Sequence, residues 1–134
     1  MKETLSNSKG FTLIEVVIAM AVIAIGMFSM MSLIITVTKG NSHSKKVTTA
    51  TTLAQDQMEQ IKRLGFGNAI LAQGTEDYGT MNKINGYTSD YNGYRRVTTV
   101  FTNTPVAGMV TGSVTVHWTP GTHSITLATS ISSP

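Results

Sequence analysis

The chain has 134 residues, with ten lysines and arginines, seven acidic residues and a formal net charge of +3. This length is enough for one small domain and one long helix, but it is too short for two separate cores. The basic residues occur singly or in pairs, which argues against a dedicated nucleic-acid surface. The lack of cysteine excludes disulfides, thiolate metal sites and cysteine catalysis without fixing a cellular compartment.

A long uncharged stretch begins shortly after the N-terminus. Residues 16–38 contain no charged side chain, and these 23 residues would measure roughly 35 Å as a helix, which is enough to cross a bilayer. The polar N-terminal stretch ends at Gly10, so everything strongly apolar lies beyond it. An ordinary secretory signal is cleaved after its apolar region. A cut at Gly10 would instead leave the apolar helix on the mature protein.

Glu15 is an acidic residue at the edge of this apolar stretch, between Ile14 and Val16. A carboxylate at membrane depth costs about 3 kcal/mol on insertion scales, and such residues are usually paired or functional. A hydrated position near the bilayer surface, or a favourable interaction with the start of the helix, would also account for the residue. The sequence leaves these explanations open.

The segment KGFTLIEV, residues 9–16, resembles the cleavage and methylation motif of type IV prepilins and type II secretion pseudopilins. The resemblance implies that a membrane-embedded prepilin peptidase cuts after Gly10 and that the new N-terminal residue, Phe11, is N-methylated. It also implies that Glu15 neutralises the Phe11 amine of a neighbouring subunit. Burying such a pair would fix the register between subunits more than it would add stability.

The apolar segment continues as VIAMAVIAIGM, residues 17–27, which resembles PilV-type minor pilins and the related pseudopilins more than major pilins. Small residues such as Ala21 and Gly26 allow helices to approach closely. A generic membrane helix would have a similar composition, so this alternative also remains.

A second apolar pattern with helical spacing follows the weak helix formers at residues 39–44. It predicts an amphipathic helix whose apolar face covers a sheet, with Gly65 as the C-cap. The stretch LAQDQMEQIKRL, residues 53–64, also resembles the second half of the long helix in PilV-type proteins. The predicted apolar face consists of Val47, Ala50, Ala54, Met58, Ile61 and Leu64.

The tetrapeptide at residues 91–94, YNGY, carries the Asn-Gly signal of a two-residue hairpin. This hairpin would place Asp90 opposite Arg95 and Tyr87 opposite Thr98. The resulting charge pair would be exposed and worth less than about 1 kcal/mol.

Two alternating segments near the C-terminus predict a second hairpin around residues 119–122. Pairing Trp118 with His123 brings Val114 opposite Leu127 and makes one whole face of both strands apolar. The other face carries mainly serine and threonine, as expected for a sheet with one face on a helix and one in water. The prediction therefore buries Trp118 against the helix. This strand, turn and strand also resemble the C-terminal part of PilV-type proteins.

These patterns predict an α+β fold, with a long N-terminal helix packed on a C-terminal antiparallel sheet, and the resemblance implies that this fold is type IV pilin-like. The predicted segments are a removed leader at 1–10, an apolar half-helix at 11–38, an amphipathic half-helix at 39–65, a connecting loop at 66–86 and the sheet at 87–134.

No motif of an enzyme or a metal site is found in the sequence. There is no nucleophile elbow, phosphate loop, metalloprotease motif or dinucleotide fingerprint. The only histidines are His43, His117 and His123, and the predicted register places the last two on opposite faces. We therefore predict no catalytic activity, no metal and no cofactor.

The resemblance implies a minor pilin that joins a type IV pilus and initiates or modifies its assembly. A type II secretion pseudopilin, a surface module for adhesion or DNA uptake, and a simple membrane-anchored domain are the alternatives. The implied partners are the prepilin peptidase/methyltransferase, other pilins or pseudopilins, the inner-membrane assembly platform and, before assembly, the lipid bilayer, with no nucleic acid expected. The implied location is the bacterial inner membrane before assembly, then an extracellular pilus or a periplasmic pseudopilus.

Overall fold

The computed structural model describes residues 10–81, 86–87, 90–118 and 122–134. The chain divides into two compact units, of which the first ends at Ser42 and the second is His43–Pro134. The fold is α+β, as predicted. Its elements, in chain order, are helix α1 (Leu13–Asn68), a 3-10 helix (Ala69–Ala72) and strands β1 (Gly74–Glu76), β2 (Tyr94–Thr102), β3 (Met109–Trp118) and β4 (His123–Ser132).

The first unit contains the apolar part of α1. Every large apolar side chain from Phe11 to Val37 is exposed. The hydroxyls of Ser29, Thr36 and Thr38 donate hydrogen bonds to the carbonyl oxygens four residues earlier, at 3.0, 3.0 and 2.8 Å. The helix therefore satisfies these polar groups by itself, which suits an apolar surrounding.

In the second unit, one face of α1 packs on the sheet. The predicted apolar face is confirmed, because Ala50, Ala54, Met58 and Ile61 are buried and the two end residues of the pattern are half-buried. The prediction omitted Leu53 and Gln57, which are also buried. The Gln57 side chain donates to the carbonyl oxygen of Ala72 at 3.3 Å, so α1 also holds the 3-10 helix.

The helical path is interrupted at Gly65, the predicted C-cap. Its φ of +70° and ψ of −178° are not helical, and glycine adopts such a positive φ without a Cβ clash. α1 then continues for three residues to Asn68. The interruption turns the chain into the 3-10 helix, whose Ala69 and Ala72 are buried.

The four strands form one antiparallel sheet in the order β1-β2-β3-β4. The predicted register of β3 and β4 is confirmed, since Trp118 pairs with His123 and Val114 pairs with Leu127. Alternate residues of β3 are buried, and Trp118 is only 5% exposed. The turn predicted between these strands falls on residues 119–121, outside the described residues.

The hairpin predicted at residues 91–94 is wrong in its strand partner. Thr98 of β2 pairs with Gly74 of β1 and not with Tyr87. β1 lies within residues 66–86, the segment predicted to be a connecting loop. The neighbour of β2 is therefore β1, which lies further away in the sequence. The Asn-Gly signal had instead predicted that the residues just before the turn would pair with β2.

The predicted charge pair between Asp90 and Arg95 is also wrong. Arg95 forms an ion pair with Asp77 at 3.2 Å. The Asp90 carboxylate instead accepts a hydrogen bond from the backbone amide of Asn92 at 3.0 Å. This local contact is typical of aspartate in a turn. The Asp90 carboxylate therefore stabilises the turn that leads into β2 and does not pair with a residue of that strand.

Candidate functional site

Gly10 and Phe11 lie just before the helix and are both exposed. A Cβ atom added to Gly10 would meet nothing within 4 Å. The packing of the described residues therefore does not require glycine at this position. Phe11 is 82% exposed and does not belong to the core.

Glu15 lies in the first turn of α1, where the chain forms an N-cap. The hydroxyl oxygen of Thr12 accepts a hydrogen bond from the backbone amide of Glu15 at 3.3 Å, which satisfies one of the free amides at the helix start. The Glu15 side chain is exposed. Its negative charge is favourable at this end of the helix dipole, which agrees with the capping alternative for this residue.

The structure thus brings Gly10, Phe11 and Glu15 to one end of α1. The Glu15 carboxylate has no hydrogen bond or ion pair with any residue in the part of the chain that the structure describes. A partner for this carboxylate would therefore have to come from a residue outside that part or from another molecule.

The second unit, His43–Pro134, is called the head below. It contains a buried polar cluster that the sequence patterns did not predict. Arg96 of β2 is only 1% exposed. Its Nε and Nη2 atoms donate to the two carboxylate oxygens of Glu76 in β1, and Nη1 donates to the carbonyl oxygen of Leu53 in α1 at 2.9 Å. One guanidinium therefore joins two strands to the helix by charge-assisted hydrogen bonds.

Tyr87 extends this cluster to a second position on the helix. Its hydroxyl donates to the Asp56 carboxylate at 2.6 Å and accepts from Nη1 of Arg96 at 3.3 Å. Burial and the hydrogen bond to Asp56 raise the pKa of Tyr87, against the opposing effect of Arg96. Burial alone would lower the pKa of Arg96, but the hydrogen bonds and charge of Glu76 raise it. Both side chains therefore remain in their protonated forms.

The geometry of this cluster is that of a clamp between secondary-structure elements. A cavity of about 180 Å³ lies beside it, between Asp56, Tyr87 and Arg96. In the described residues, no group of three or more histidine, aspartate or glutamate side chains is placed to hold a metal ion. We assign the cluster a role in holding the head together.

Comparison with known proteins identifies the N-terminal segment. Residues 5–31 match the family model of the prokaryotic N-terminal methylation motif. The match covers 27 of the 134 residues, including Gly10, Phe11 and Glu15. Searches of curated proteins and of solved structures found no match.

The described part of the chain has one helix that is long and apolar enough to cross a membrane, and this helix begins at Leu13. A methylation motif, such a helix and a helix-on-sheet head together define the pilin-like class of membrane-anchored subunits. The chain is a type IV pilin-like protein. Its motif implies processing by a prepilin peptidase and assembly with other pilins, and the family of this motif is structural.

Proposed function

We propose that this protein is a minor pilin of a type IV pilus. It is held in the inner membrane by the apolar part of α1 before assembly, and this segment is then packed among the helices of neighbouring subunits. In the filament it initiates or modifies assembly. The observation that carries the proposal is the methylation motif at residues 5–31, followed directly by an apolar helix.

The exposure of this helix supports the proposal. All its large apolar side chains from Phe11 to Val37 are exposed, and each square ångström of apolar surface left in water costs about 25 cal/mol. Soluble proteins rarely expose apolar patches of more than a few hundred square ångströms. Lipid covers this surface before assembly, and the helices of other subunits cover it afterwards.

Gly10 is proposed as the residue preceding the cleavage site, and Phe11 as the new, methylated N-terminus. Since a side chain at Gly10 would meet no neighbour within 4 Å, Gly10→Leu should disturb recognition by the peptidase and leave the fold intact. Mass spectrometry of the membrane fraction should then show full-length precursor. The control is Gly40→Ala, at an exposed helical glycine with the same open space, which should be cleaved normally. Normal cleavage of Gly10→Leu would contradict the proposed site.

Glu15 is proposed to pair with the Phe11 amine of a neighbouring subunit, because its carboxylate lacks a partner among the described residues. Glu15→Gln keeps the shape of the side chain but removes its charge, so cleavage should persist while incorporation into sheared filaments falls. Thr12→Val is the matched control, since it removes the N-cap, worth about 1 kcal/mol, and keeps the charge. If incorporation into filaments fell in Thr12→Val and not in Glu15→Gln, helix capping would replace charge pairing as the role of this turn.

Imaging the surface filaments of a strain that lacks the gene distinguishes a pilus subunit from the other candidate functions. Loss or shortening of surface filaments, restored by the wild-type gene, is the expected result. Normal filaments with a failure to export folded proteins would instead identify a secretion pseudopilin. Normal filaments with a loss of attachment or DNA uptake would identify a binding module.

A further inference from the structure

Three aromatic rings from separate elements meet in the second unit. They belong to His43 of α1, Trp118 at the end of β3 and His123 at the start of β4. The ring centres of the two histidines are 5.3 Å apart, and the Trp118 ring centre lies 6.3 Å from His43 and 5.8 Å from His123. No local sequence pattern predicts this contact, because His43 and His123 are far apart along the chain.

The spacing of the two imidazoles suits one shared metal ion. A metal bound at about 2.0–2.1 Å from one nitrogen of each ring lies about 3.2 Å from each ring centre. A tetrahedral angle at the metal then places the ring centres about 5.2 Å apart. The observed separation of 5.3 Å agrees with this value, so the ring centres of His43 and His123 already lie at the distance that one tetrahedral ion shared between them requires.

The surroundings keep this pair both positioned and accessible. The Trp118 ring is buried and stacks on His123 with an interplanar angle of 24°, which restricts the rotation of that imidazole. Both histidines are exposed, so an ion can reach them from solvent. His117 pairs with Ser124 and points to the other face of the sheet, so it takes no part in the pair.

We propose that His43 and His123 form a two-histidine site for a divalent transition metal of the Zn²⁺, Ni²⁺ or Cu²⁺ class. Imidazole nitrogen suits these ions, whereas Ca²⁺ and Mg²⁺ require oxygen ligands. Water completes the coordination. A bound ion joins α1 directly to the edge strand β4 and stabilises the folded head by mass action, because the unfolded chain does not hold the two rings together. This site is independent of the proposed pilin function.

Trp118 is the only tryptophan in the chain, so its fluorescence reports on this site. The full chain, purified in detergent micelles without a histidine tag, is titrated with Cu²⁺. We expect saturable quenching that EDTA reverses. His43→Gln and His123→Gln each remove one of the two protein ligands, so each should raise the apparent Kd at least about tenfold. His117→Gln is the matched control and should titrate like wild type.

A second measurement uses Zn²⁺, which does not quench fluorescence. Zn²⁺ should raise the thermal midpoint of the wild-type head and of His117→Gln, and it should leave the midpoints of His43→Gln and His123→Gln unchanged. Equal Cu²⁺ affinity in wild type and in both of these variants would overturn the proposal. A loss of affinity in His117→Gln as large as in His43→Gln would also overturn the proposal, since metal binding would then depend on a histidine outside the proposed pair.

Discussion

Replacing Arg96 with methionine tests the clamp at the centre of the head. The Arg96 side chain is 1% exposed and its partner Glu76 is 17% exposed. Methionine keeps much of the apolar length of the side chain but removes the charge and every donor. Glu76 then loses its ion pair, and the carbonyl oxygen of Leu53 loses a donor.

The expected cost follows from this loss of partners. Breaking a buried ion pair by removing one member costs about 3–5 kcal/mol. A small domain has a total stability of about 5–15 kcal/mol, so this change should remove a large part of it. The adjacent Arg95 provides the control, because its ion pair with Asp77 is exposed, at 38% and 68% for the two side chains. Arg95→Met should therefore cost less than about 1 kcal/mol.

The assay is a urea melt of a soluble fragment, residues 39–134, followed by Trp118 fluorescence. A double variant, Arg96→Met with Glu76→Leu, should recover part of the loss, because it also removes the half-buried carboxylate whose ion pair the single variant breaks. If Arg96→Met and Arg95→Met shifted the free energy of unfolding equally, the clamp would not be a major source of stability.

Three further changes test the packing and the protonation of the head. Trp118→Ala should lower the free energy of unfolding by about 3–5 kcal/mol in melts followed by circular dichroism. Gly112→Ala should lower it by about 1–3 kcal/mol, because the added Cβ would lie 3.0 Å from Cδ1 of the buried Ile61. The pKa of Tyr87 is raised when folded, so its contribution to stability is complete below the unfolded pKa of about 10 and is lost as the pH rises through the folded value. Tyr87→Phe should therefore lose less stability than wild type above about pH 10.

Each of these expectations has a clear contrary result. An unchanged midpoint for Trp118→Ala would place the indole outside the core. A stabilised Gly112→Ala would show that the Ile61 side chain can move aside at no cost. Parallel alkaline stability curves for wild type and Tyr87→Phe would mean that Tyr87 does not titrate differently in the folded head.

The parts of the fold that could be predicted are those with a strong local pattern. The register of β3 and β4 follows from alternation on both strands, since a shift of one residue would turn every apolar side chain to the wrong face. The buried face of α1 follows from helical spacing in the same way. The motif around Gly10 is a short continuous segment, so it was also recognisable in the sequence.

The pairing of β1 with β2 could not be predicted, because β1 has three residues and no alternation. Arg95 and Arg96 are also equivalent until the orientation of β2 is known. The feature that marks Arg96 as the buried arginine is its spacing in β2. It lies two residues before Thr98 and four before Val100, so all three side chains share the buried face of the strand. The contact between His43 and His123 depends on how α1 crosses the sheet. Neither the helical spacing of α1 nor the alternation of β4 predicts that crossing.

The free edge of the sheet has a consequence for handling the protein. β4 is the outermost strand, and its ten residues contain no lysine, acidic residue or proline. Natural edge strands use such residues, or bulges, to prevent pairing with another chain, and the pairing of β4 with β3 is continuous with no bulge. A concentrated solution of the isolated head should therefore aggregate by strand addition along β4. A lysine at the exposed Ala128 would oppose this aggregation from the face away from the core.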